Sequence, residues 1–200
     1  MNEVIIAFLT GVLGPISIII IKHYLEKRKK KDTVVEAVVN ANVVCDELEK
    51  ISEEFGADRV WIAQFHNGGH YYPTGKSIQK FSIFFENVKR SQDSIQRTFQ
   101  NIPVNLFSKS LGAVLDKSYI EIPDYKDETI ATYGLKHIAE ENGTKSSYLF
   151  AINNVEDRCI AVLAVEYTHR RKTLNAENIV ELRLEASKLG GVLNSQLKRQ

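Results

Sequence analysis

Hydrophobic residues are concentrated at the start of the chain in an uninterrupted run. Val4–Ile21 contains no charged residue over eighteen positions, and as a helix it would span about 27 Å, close to the thickness of a bilayer core. Glu3 precedes this run, and the basic segment 22–31 follows it. A cleaved signal peptide has the opposite order. The pattern therefore predicts a single transmembrane helix with a basic juxtamembrane collar over residues 1–32.

The basic residues also predict how this helix is oriented. Residues 1–32 hold six Lys and Arg, all C-terminal to the apolar run. The positive-inside bias places such a chain in the inner (plasma) membrane, with its N-terminus outside and its C-terminal body in the cytoplasm. Two alternatives stay open: the run could be a buried helix of the body, and the collar could bind nucleic acid rather than anionic lipid.

After Asp32 the pattern changes to that of an amphipathic helix. Thr33 as N-cap and Glu36 as its capping-box partner predict a helix to about Phe55, stopped by Gly56. Its apolar positions form two stripes, so we expect two covered surfaces, one within the domain and one on a partner copy. The two stripes therefore predict a homodimer that forms through the 33–55 helix. The alternative is a helix buried on both sides within its own domain. The stripes are Val34, Val38, Ala41, Cys45, Leu48 and Phe55, and Val35, Val39, Val43 and Ile51.

Apolar and alternating runs then predict strands and further helices. Residues 58–66 form one strand and 79–89 a second, with Phe81, Ile83 and Phe85 on one face. The pattern then predicts helical stretches over about 94–116 that are broken at Pro103, a strand at 118–123 and a helix at 129–143. A hairpin follows at 146–168, with its turn at 153–157. The closing helix begins near Asn175, and its inward residues are Ile179, Leu182, Ala186, Leu189 and Leu193. This order predicts an α+β fold, an antiparallel sheet flanked by helices.

The second half of the chain resembles a known family. SSYLFAINNVEDRCIAVLAVEYTHRRKTLNAENIVELRLEASKLGGVL, residues 146–193, is similar to the C-terminal half of a GAF domain, where a hairpin precedes a closing helix. YIEIPDYKDE, residues 119–128, is similar to that family's short middle strand ending in Asp. The resemblance covers about residues 33–197. It implies a GAF-like domain over 33–200, in which a ligand lies over the sheet and under the loops and helices that join its strands.

The motifs of three GAF branches are absent from this sequence. They are the Asn-Lys-Phe-Asp-Glu signature of the cyclic-nucleotide-binding branch, the loop cysteine of bilin-binding members, and the several pocket cysteines of free-methionine-sulfoxide reductases. Cys45 and Cys159 are the only cysteines, and we expect two buried thiols rather than a disulfide, because they lie in a helix and in a strand. No cofactor is predicted.

The loop HNGGHYYPTGKS, residues 66–77, ends like a phosphate-binding P-loop. A P-loop needs a glycine where this chain has His70, and a helix after Ser77, where the pattern predicts a strand. Both requirements fail, which argues against nucleotide hydrolysis by this loop.

The loop nevertheless holds polar and aromatic residues between two core strands, where ligand contacts are concentrated. The resemblance implies that its flanks, together with residues after the middle strand, line a pocket for a small molecule or nucleotide. Aromatic rings would stack on a planar group, Lys76 would meet an anionic one, and Asn67 and Asp124 would bind hydrogen-bonding edges. The predicted ligand-binding residues are Phe65, His66, Asn67, Tyr71, Lys76, Phe84, Asp124 and Tyr133. The alternative is a glycine-permitted hairpin connection whose tyrosines pack locally.

Composition and candidate chemistry narrow the classes of function. The chain is 44% hydrophobic and 26% charged, as globular proteins are, and after residue 32 it has 20 basic and 22 acidic residues. Such a neutral body predicts no nucleic-acid partner. His66 and His70 could be paired metal ligands, but no Cys or acidic residue in the loop completes a set. No nucleophile and base are recognisable together, so neither a metal centre nor an enzyme is expected.

Two functions remain. The first is a membrane-anchored GAF-like sensory module that binds a small molecule and signals through self-association or a partner. The second is a structural protein with a degenerate GAF-like fold that serves as a membrane-tethered dimerisation unit, its pocket filled by the side chains of Tyr71 and Tyr72. A thermal shift with a ligand would distinguish them.

Overall fold

The computed structural model describes residues 11, 13–29, 33–71, 73–89, 92–127 and 133–197. The chain divides into two units, Met1–Val39 and Asn40–Gln200.

The first unit contains helix α1, Gly14–Lys29, and the start of helix α2, Thr33–Glu54. Among the described residues, no helix combines the length and the apolar character needed to span a membrane. Residues 4–10 and Val12 of the predicted transmembrane segment lie outside the described residues. The transmembrane helix therefore stays a prediction.

The second unit is built on a six-stranded sheet in which every pairing is antiparallel, in the order β3-β2-β1-β6-β5-β4. Helix α2 precedes the sheet, and helices interrupt and follow it, which confirms the predicted α+β architecture. The elements are β1 Arg59–His70, β2 Ser77–Val88, β3 Ile102–Pro103, a 3₁₀ turn Val104–Phe107, α3 Ser108–Lys117, β4 Tyr119–Ile122, α4 Tyr133–Glu141, β5 Ser146–Asn153, β6 Cys159–Tyr167 and α5 Ala176–Leu197.

One face of the sheet carries the main core, to which α2 and α5 contribute. The predicted inward stripe of α5 is confirmed: Leu182, Ala186, Leu189 and Leu193 are buried, and Ile179 packs against the same cluster.

The two predicted stripes of α2 are wrong in composition. The buried residues are Val44, Leu48, Ile51 and Phe55, which follow one another at steps of four, three and four and so lie on one helical face. This set takes members from both predicted stripes and adds Val44. Cys45, predicted to be buried, is exposed.

A β-bulge in β2 changes which residues share a face. Ile62 pairs with Phe85 and Ala63 with Ile83, so Phe84 is an extra residue without a partner in β1. An extra residue reverses the alternation of side chains beyond it. Phe81 and Ile83 therefore lie in one cluster while Phe85 packs against the α2–α5 core, which corrects the prediction that all three share a face.

Residues 94–107 are not the helix that the sequence predicted. Phe99 accepts a backbone hydrogen bond from Ile83 at 2.9 Å, and Ile102–Pro103 pairs with β2 as a two-residue edge strand. Pro103 has no N–H to donate, which an edge strand tolerates and a helix interior does not. The helix begins only at Ser108.

The remaining secondary-structure predictions for the second unit are confirmed in their described parts. The middle strand, the β5–β6 hairpin and the closing helix lie where the sequence placed them, and α4 occupies the second part of the predicted 129–143 helix. Residues 128–132 lie outside the described residues.

Helix α5 approaches the end of β5 closely at one glycine. A Cβ added to Gly190 would lie 2.1 Å from the carbonyl oxygen of Asn153, whereas one added to Gly191 would meet nothing within 4 Å. Only a residue without a side chain lets the helix lie at this distance from the strand.

We therefore predict opposite effects for two neighbouring substitutions. Gly190→Ala should lower the free energy of unfolding by about 1–3 kcal/mol, because helix and strand must separate. Gly191→Ala is the matched control and should raise stability by up to about 1 kcal/mol through helix propensity. Thermal and urea unfolding of both variants would check this; equal effects would contradict the close packing.

Candidate functional site

The sheet face opposite the α2–α5 core encloses a small cavity. Strands β1, β2, β5 and β6 contribute residues to its floor, and α3, α4 and residues 95–107 cover it. Its volume is about 50 Å³. The apolar lining consists of Trp61, Ala63, Phe65, Phe81, Ile83, Ile95, Phe99, Phe107, Leu111, Leu135, Ile138, Ala139, Leu149 and Val162.

Strand alternation explains why these side chains meet. Trp61, Ala63 and Phe65 follow one another at steps of two along β1, so they share a face. The bulge places Ile83 and Phe81 opposite Ala63 and Phe65 on that same face. With those contributed by the cover, six aromatic residues line the space.

The cavity becomes polar where β1 begins and β6 ends. Arg59 and Glu166 pair directly across these strands, and both line the cavity with Thr144, Asn142 and Tyr125. Arg59 Nη1 donates to Glu166 Oε2 at 2.8 Å, with only 1% and 8% of the two side chains exposed. We call Arg59, Glu86 and Glu166 the buried charge cluster.

Glu166 is fully engaged by donors. Trp61 Nε1 donates to its Oε1 at 2.9 Å, and Thr144 Oγ1 donates to its Oε2 at 3.1 Å, in addition to the bond from Arg59. Three donors to one buried carboxylate replace the water that it loses on folding.

Glu86 attaches the cover of the cavity to the sheet. Its carboxylate accepts the backbone N–H groups of Ile95 at 3.0 Å and Gln96 at 3.2 Å, and the hydroxyl of Ser94. Its Oε1 lies 3.6 Å from Arg59 Nε, an atom that is buried without a hydrogen-bond partner. Arg59 Nη2 donates to the carbonyl of Asp93 at 3.0 Å. The cluster thus connects β1, β2, β6 and residues 93–96.

Tyr125 adds a neutral polar group beside the cluster. Its hydroxyl lies 2.5 Å from Ser147 Oγ. Burial, and after it the negative charge of Glu166, raises the pKa of Tyr125 well above its usual value, against the effect of the Ser147 hydrogen bond. The phenol is therefore protonated at neutral pH.

The predicted ligand-binding residues occupy several different places. Of those whose side chains the structure describes, only Phe65 lines the cavity. His66 Nε2 lies 2.9 Å from Ser82 Oγ, and its ring meets Phe84 edge-on at 6.2 Å. Asn67 accepts a hydrogen bond from Gln79 at 3.0 Å.

Tyr71, Lys76 and Asp124 are likewise outside the cavity lining. Tyr71 and Lys76 are exposed at the hairpin tip, where the Tyr71 N–H donates to the Lys76 carbonyl at 2.8 Å. Asp124 forms an ion pair with Arg171 at 2.6 Å. The side chain of Tyr133 lies outside the described residues. The structure thus brings His66 and Phe84 together, but it does not gather the predicted set around one space.

The 66–77 loop is a hairpin between two strands. Gly69 and Gly75 have positive φ angles of 104° and 67°, a backbone region that glycine enters without strain. Strand β2 begins at Ser77, so no helix follows the Gly-Lys-Ser sequence, as predicted. Tyr71 is 53% exposed and does not fill the cavity; Tyr72 lies outside the described residues.

No group of three or more His, Cys, Asp or Glu capable of holding a metal ion occurs within the described residues. Both cysteines are free. Burial raises the pKa of each thiol, with the negative charge of Asp46 adding to the effect at Cys45. Neither thiol is activated as a nucleophile.

Sequence reasoning missed the polar end of the cavity. Arg59 and Glu166 each lie in a continuous apolar strand, in DRVWIAQFH and AVLAVEYT. A charged residue in a strand buried on both faces needs a partner. Opposite charges in two such strands were the signal that could have identified this pair.

Comparison with known proteins identifies the fold. No family model matches the sequence, and no curated protein is similar to it. The photoproduct state of GAF3 from Slr1393 of Synechocystis sp. PCC6803 matches at 15% identity and a TM-score of 0.62, over 79% of this chain and 96% of that one. The phycocyanobilin-bound GAF domain of a cyanobacterial phytochrome matches at 13% identity and a TM-score of 0.61, over 79% and 85%.

A third similar structure comes from another kind of protein. The GAF domain/HD domain protein of Geobacter sulfurreducens matches at 9% identity and a TM-score of 0.59, over 79% of this chain and 94% of that one. These likenesses show that the chain has a GAF-like fold, as the sequence resemblance implied.

We predict that the buried charge cluster tolerates little change. Glu166→Gln places an NH₂ group against Trp61, Arg59 or Thr144, all of which donate, and removes the charge that balances Arg59. Stability should fall by about 3–5 kcal/mol, the usual loss when one partner of a buried ion pair is removed. Exposed Glu49 supplies the control: Glu49→Gln should change stability by less than about 0.5 kcal/mol. Urea unfolding monitored by Trp61 fluorescence would measure the stability of both variants. Similar unfolding midpoints for the two would contradict the conclusion that Glu166 balances the buried charge of Arg59.

Proposed function

We propose that this chain is a membrane-anchored GAF-like sensory module that binds a small molecule in the sheet cavity and signals through self-association or a partner. The observation that carries the proposal is the cavity itself. It combines an aromatic lining, suited to a planar or apolar group, with a hydrogen-bonding end at Thr144, Asn142 and Tyr125. We propose binding rather than catalysis, because the lining offers no paired nucleophile and base.

The size of the cavity limits how a ligand can bind. A volume of about 50 Å³ is far below the roughly 300–1,000 Å³ of pockets that hold drug-sized ligands. Any larger ligand must displace part of the cover. Displacement of α4 or of residues 95–107 would give binding a mechanical consequence, which a sensor needs.

The similar structures support a small-molecule ligand without identifying it. One of them is a phycocyanobilin-bound GAF domain. No cysteine lines this cavity among the described residues, so we do not propose a thioether-linked bilin. A nucleotide or another planar metabolite is the ligand class that we propose.

Ligand binding should appear as thermal stabilisation of the full chain. In a panel of nucleotides, free bilins and planar metabolites, at least one compound at 100 times its Kd should raise Tm by about 5–10 °C, because binding to the native state then contributes about 2.7 kcal/mol. Differential scanning fluorimetry would measure the shift.

A pair of helix substitutions tests where the compound binds. Ala139→Leu fills the cavity from α4 and should abolish the shift, whereas the same change at Ala176, on the exposed first turn of α5, should preserve it. A shift that survives Ala139→Leu would place the ligand elsewhere. A panel without any shift would contradict the sensory function.

The small volume also favours the second function, a structural unit whose GAF-like fold has lost its pocket. Here phenylalanine and isoleucine side chains fill the space, rather than the predicted Tyr71. This function requires dimerisation without any ligand, so the same panel distinguishes it from a sensor.

Anchoring and self-association form the other part of the proposal. The apolar run Val4–Ile21 and its basic collar support an inner-membrane anchor with the body in the cytoplasm. In the first unit, Val34, Val35, Val38 and Val39 of α2 are each more than half exposed. Valines at steps of four on a helix surface favour burial against a second helix.

We predict a membrane-held dimer. The full chain expressed in a bacterial host should stay in the membrane pellet after an alkaline wash, and a chain without residues 1–32 should not. Extracted in mild detergent, the full chain should have the mass of a dimer by light scattering, and Val38→Lys with Val39→Lys should reduce it to a monomer. Val155→Lys, at a 74% exposed turn position, should leave the dimer intact; a soluble or monomeric full chain would contradict the proposal.

A further inference from the structure

One edge of the sheet is open to pairing. β4 ends the strand order and pairs with β5, and no second strand flanks it in the part of the chain that the structure describes. Tyr119 lies opposite Phe150, and Ala151 N–H donates to the Ser118 carbonyl at 2.8 Å. In this register Ile120 and Ile122 exchange hydrogen bonds with β5, so the backbone N–H and C=O groups of Tyr119 and Glu121 are directed away from it.

The opposite edge is different. Strand β3 is two residues long, and one of them is Pro103, which has no N–H to offer to another strand. Of these two edges, only that of β4 has outward-directed backbone N–H groups in a regular strand.

A groove of about 340 Å³ runs beside this edge. Its other wall is α3, where Lys109, Ala113 and Lys117 follow one another at steps of four along one side of the helix. An extended chain in the groove could pair with β4 while its side chains on one face contact this row.

The rim of the groove carries uncompensated positive charge. Lys109 and Lys117 are exposed, and neither forms an ion pair with an acidic side chain among the described residues. Glu121 accepts a hydrogen bond from Tyr148 at 2.8 Å, and Tyr148 belongs to the core on the other face of the sheet. The Glu121 side chain thus lies on the sheet face opposite α3.

The spacing of the two lysines matches a strand. Eight residues of α3 separate them by about 12 Å. In a strand, side chains on the same face recur every two residues, and those four residues apart are about 13 Å apart. An acidic side chain at each of these positions would meet one lysine, and the residue between them would face the small side chain of Ala113.

We infer that the β4 edge and its groove form a docking site for an extended acidic peptide, which adds a seventh strand to the sheet. Its recognition pattern is acidic-x-small-x-acidic. Backbone pairing with Tyr119 and Glu121 provides affinity, and the row on α3 provides the preference for acidic side chains. The groove adjoins the cavity and shares Ser110 and Leu135 with it, but the inference does not depend on a ligand in the cavity.

The test uses a fluorescein-labelled peptide, Gly-Ser-Glu-Thr-Ala-Thr-Glu-Ser-Gly, and the purified full chain. Fluorescence anisotropy should show saturable binding of this peptide, and a version with Lys in place of both Glu should bind at least about tenfold more weakly. No binding of the acidic peptide, or equal binding of the two, would overturn the inference.

Two variants separate the backbone contribution from the side-chain contribution. Glu121→Pro removes an outward N–H without removing a hydrogen bond to β5, and Glu121→Ala is its control, since both lose the carboxylate. The affinity of Glu121→Pro should be at least about tenfold lower than that of Glu121→Ala. Equal affinities would exclude strand addition.

Charge reversal gives an answer even if Glu121→Pro does not fold. Lys109→Glu with Lys117→Glu should abolish binding of the acidic peptide and allow binding of the lysine version, whereas Arg97→Glu, at an exposed position of the 96–98 turn, should change neither. If the variant with both lysines of α3 reversed still prefers the acidic peptide over the lysine version, the groove does not recognise the peptide.

Discussion

The buried contact of Arg59 with Glu86 and Glu166 is the constraint on which the second unit depends. One guanidinium lies between two carboxylates that are almost without solvent, and backbone and side-chain donors satisfy the carboxylates. A buried charge without such partners would cost several kcal/mol, so the surrounding chain must take positions that supply them. The cluster therefore specifies more than a strand pairing. It requires β1, β2, β6 and residues 93–96 to meet at one place.

This arrangement explains both the position and the character of the cavity. Glu86 holds the start of the cover at one end of β2, while the bulge at Phe84 turns the rest of β2 so that Ile83 and Phe81 face the same space. The cavity is consequently charged and hydrogen-bonded where the strands are tied together, and aromatic where β1 extends beyond its pairing with β6. A GAF-like fold supplies the sheet and its cover, but the chemistry of the space comes from these particular residues.

Local periodicity makes part of this fold predictable from the sequence, and long-range contacts decide the rest. The β5–β6 hairpin follows from two continuous apolar runs separated by a polar turn, and α5 follows from a repeat near 3.6. The order of these elements along the chain carries the GAF resemblance. The bulge at Phe84 has no distinct sequence signature, because Ile83, Phe84 and Phe85 form a continuous apolar run that is equally typical of a regular strand buried on both faces. Residues 94–101 have helical spacing but are held by Glu86 and the backbone of β2. The hairpin loop favours a site prediction because polar and aromatic residues are concentrated there, whereas the cavity residues are mostly apolar and match the pattern of an ordinary core.

The same contacts indicate which part of the cover would open for the ligand that we propose. Residues 94–96 are held by three donors to Glu86, and Arg59 binds the carbonyl of Asp93. Separating them from the sheet would break charge-assisted hydrogen bonds in a medium of low dielectric constant. Helix α4 meets the cavity with Leu135, Ile138 and Ala139, whose displacement exposes apolar surface without leaving a charge unpaired. A ligand that replaces this surface recovers the free energy of burial, whereas no neutral ligand replaces the ion pairs. Entry on the α4 side would therefore be the lower-energy route for the proposed ligand, and it would leave the charge cluster intact.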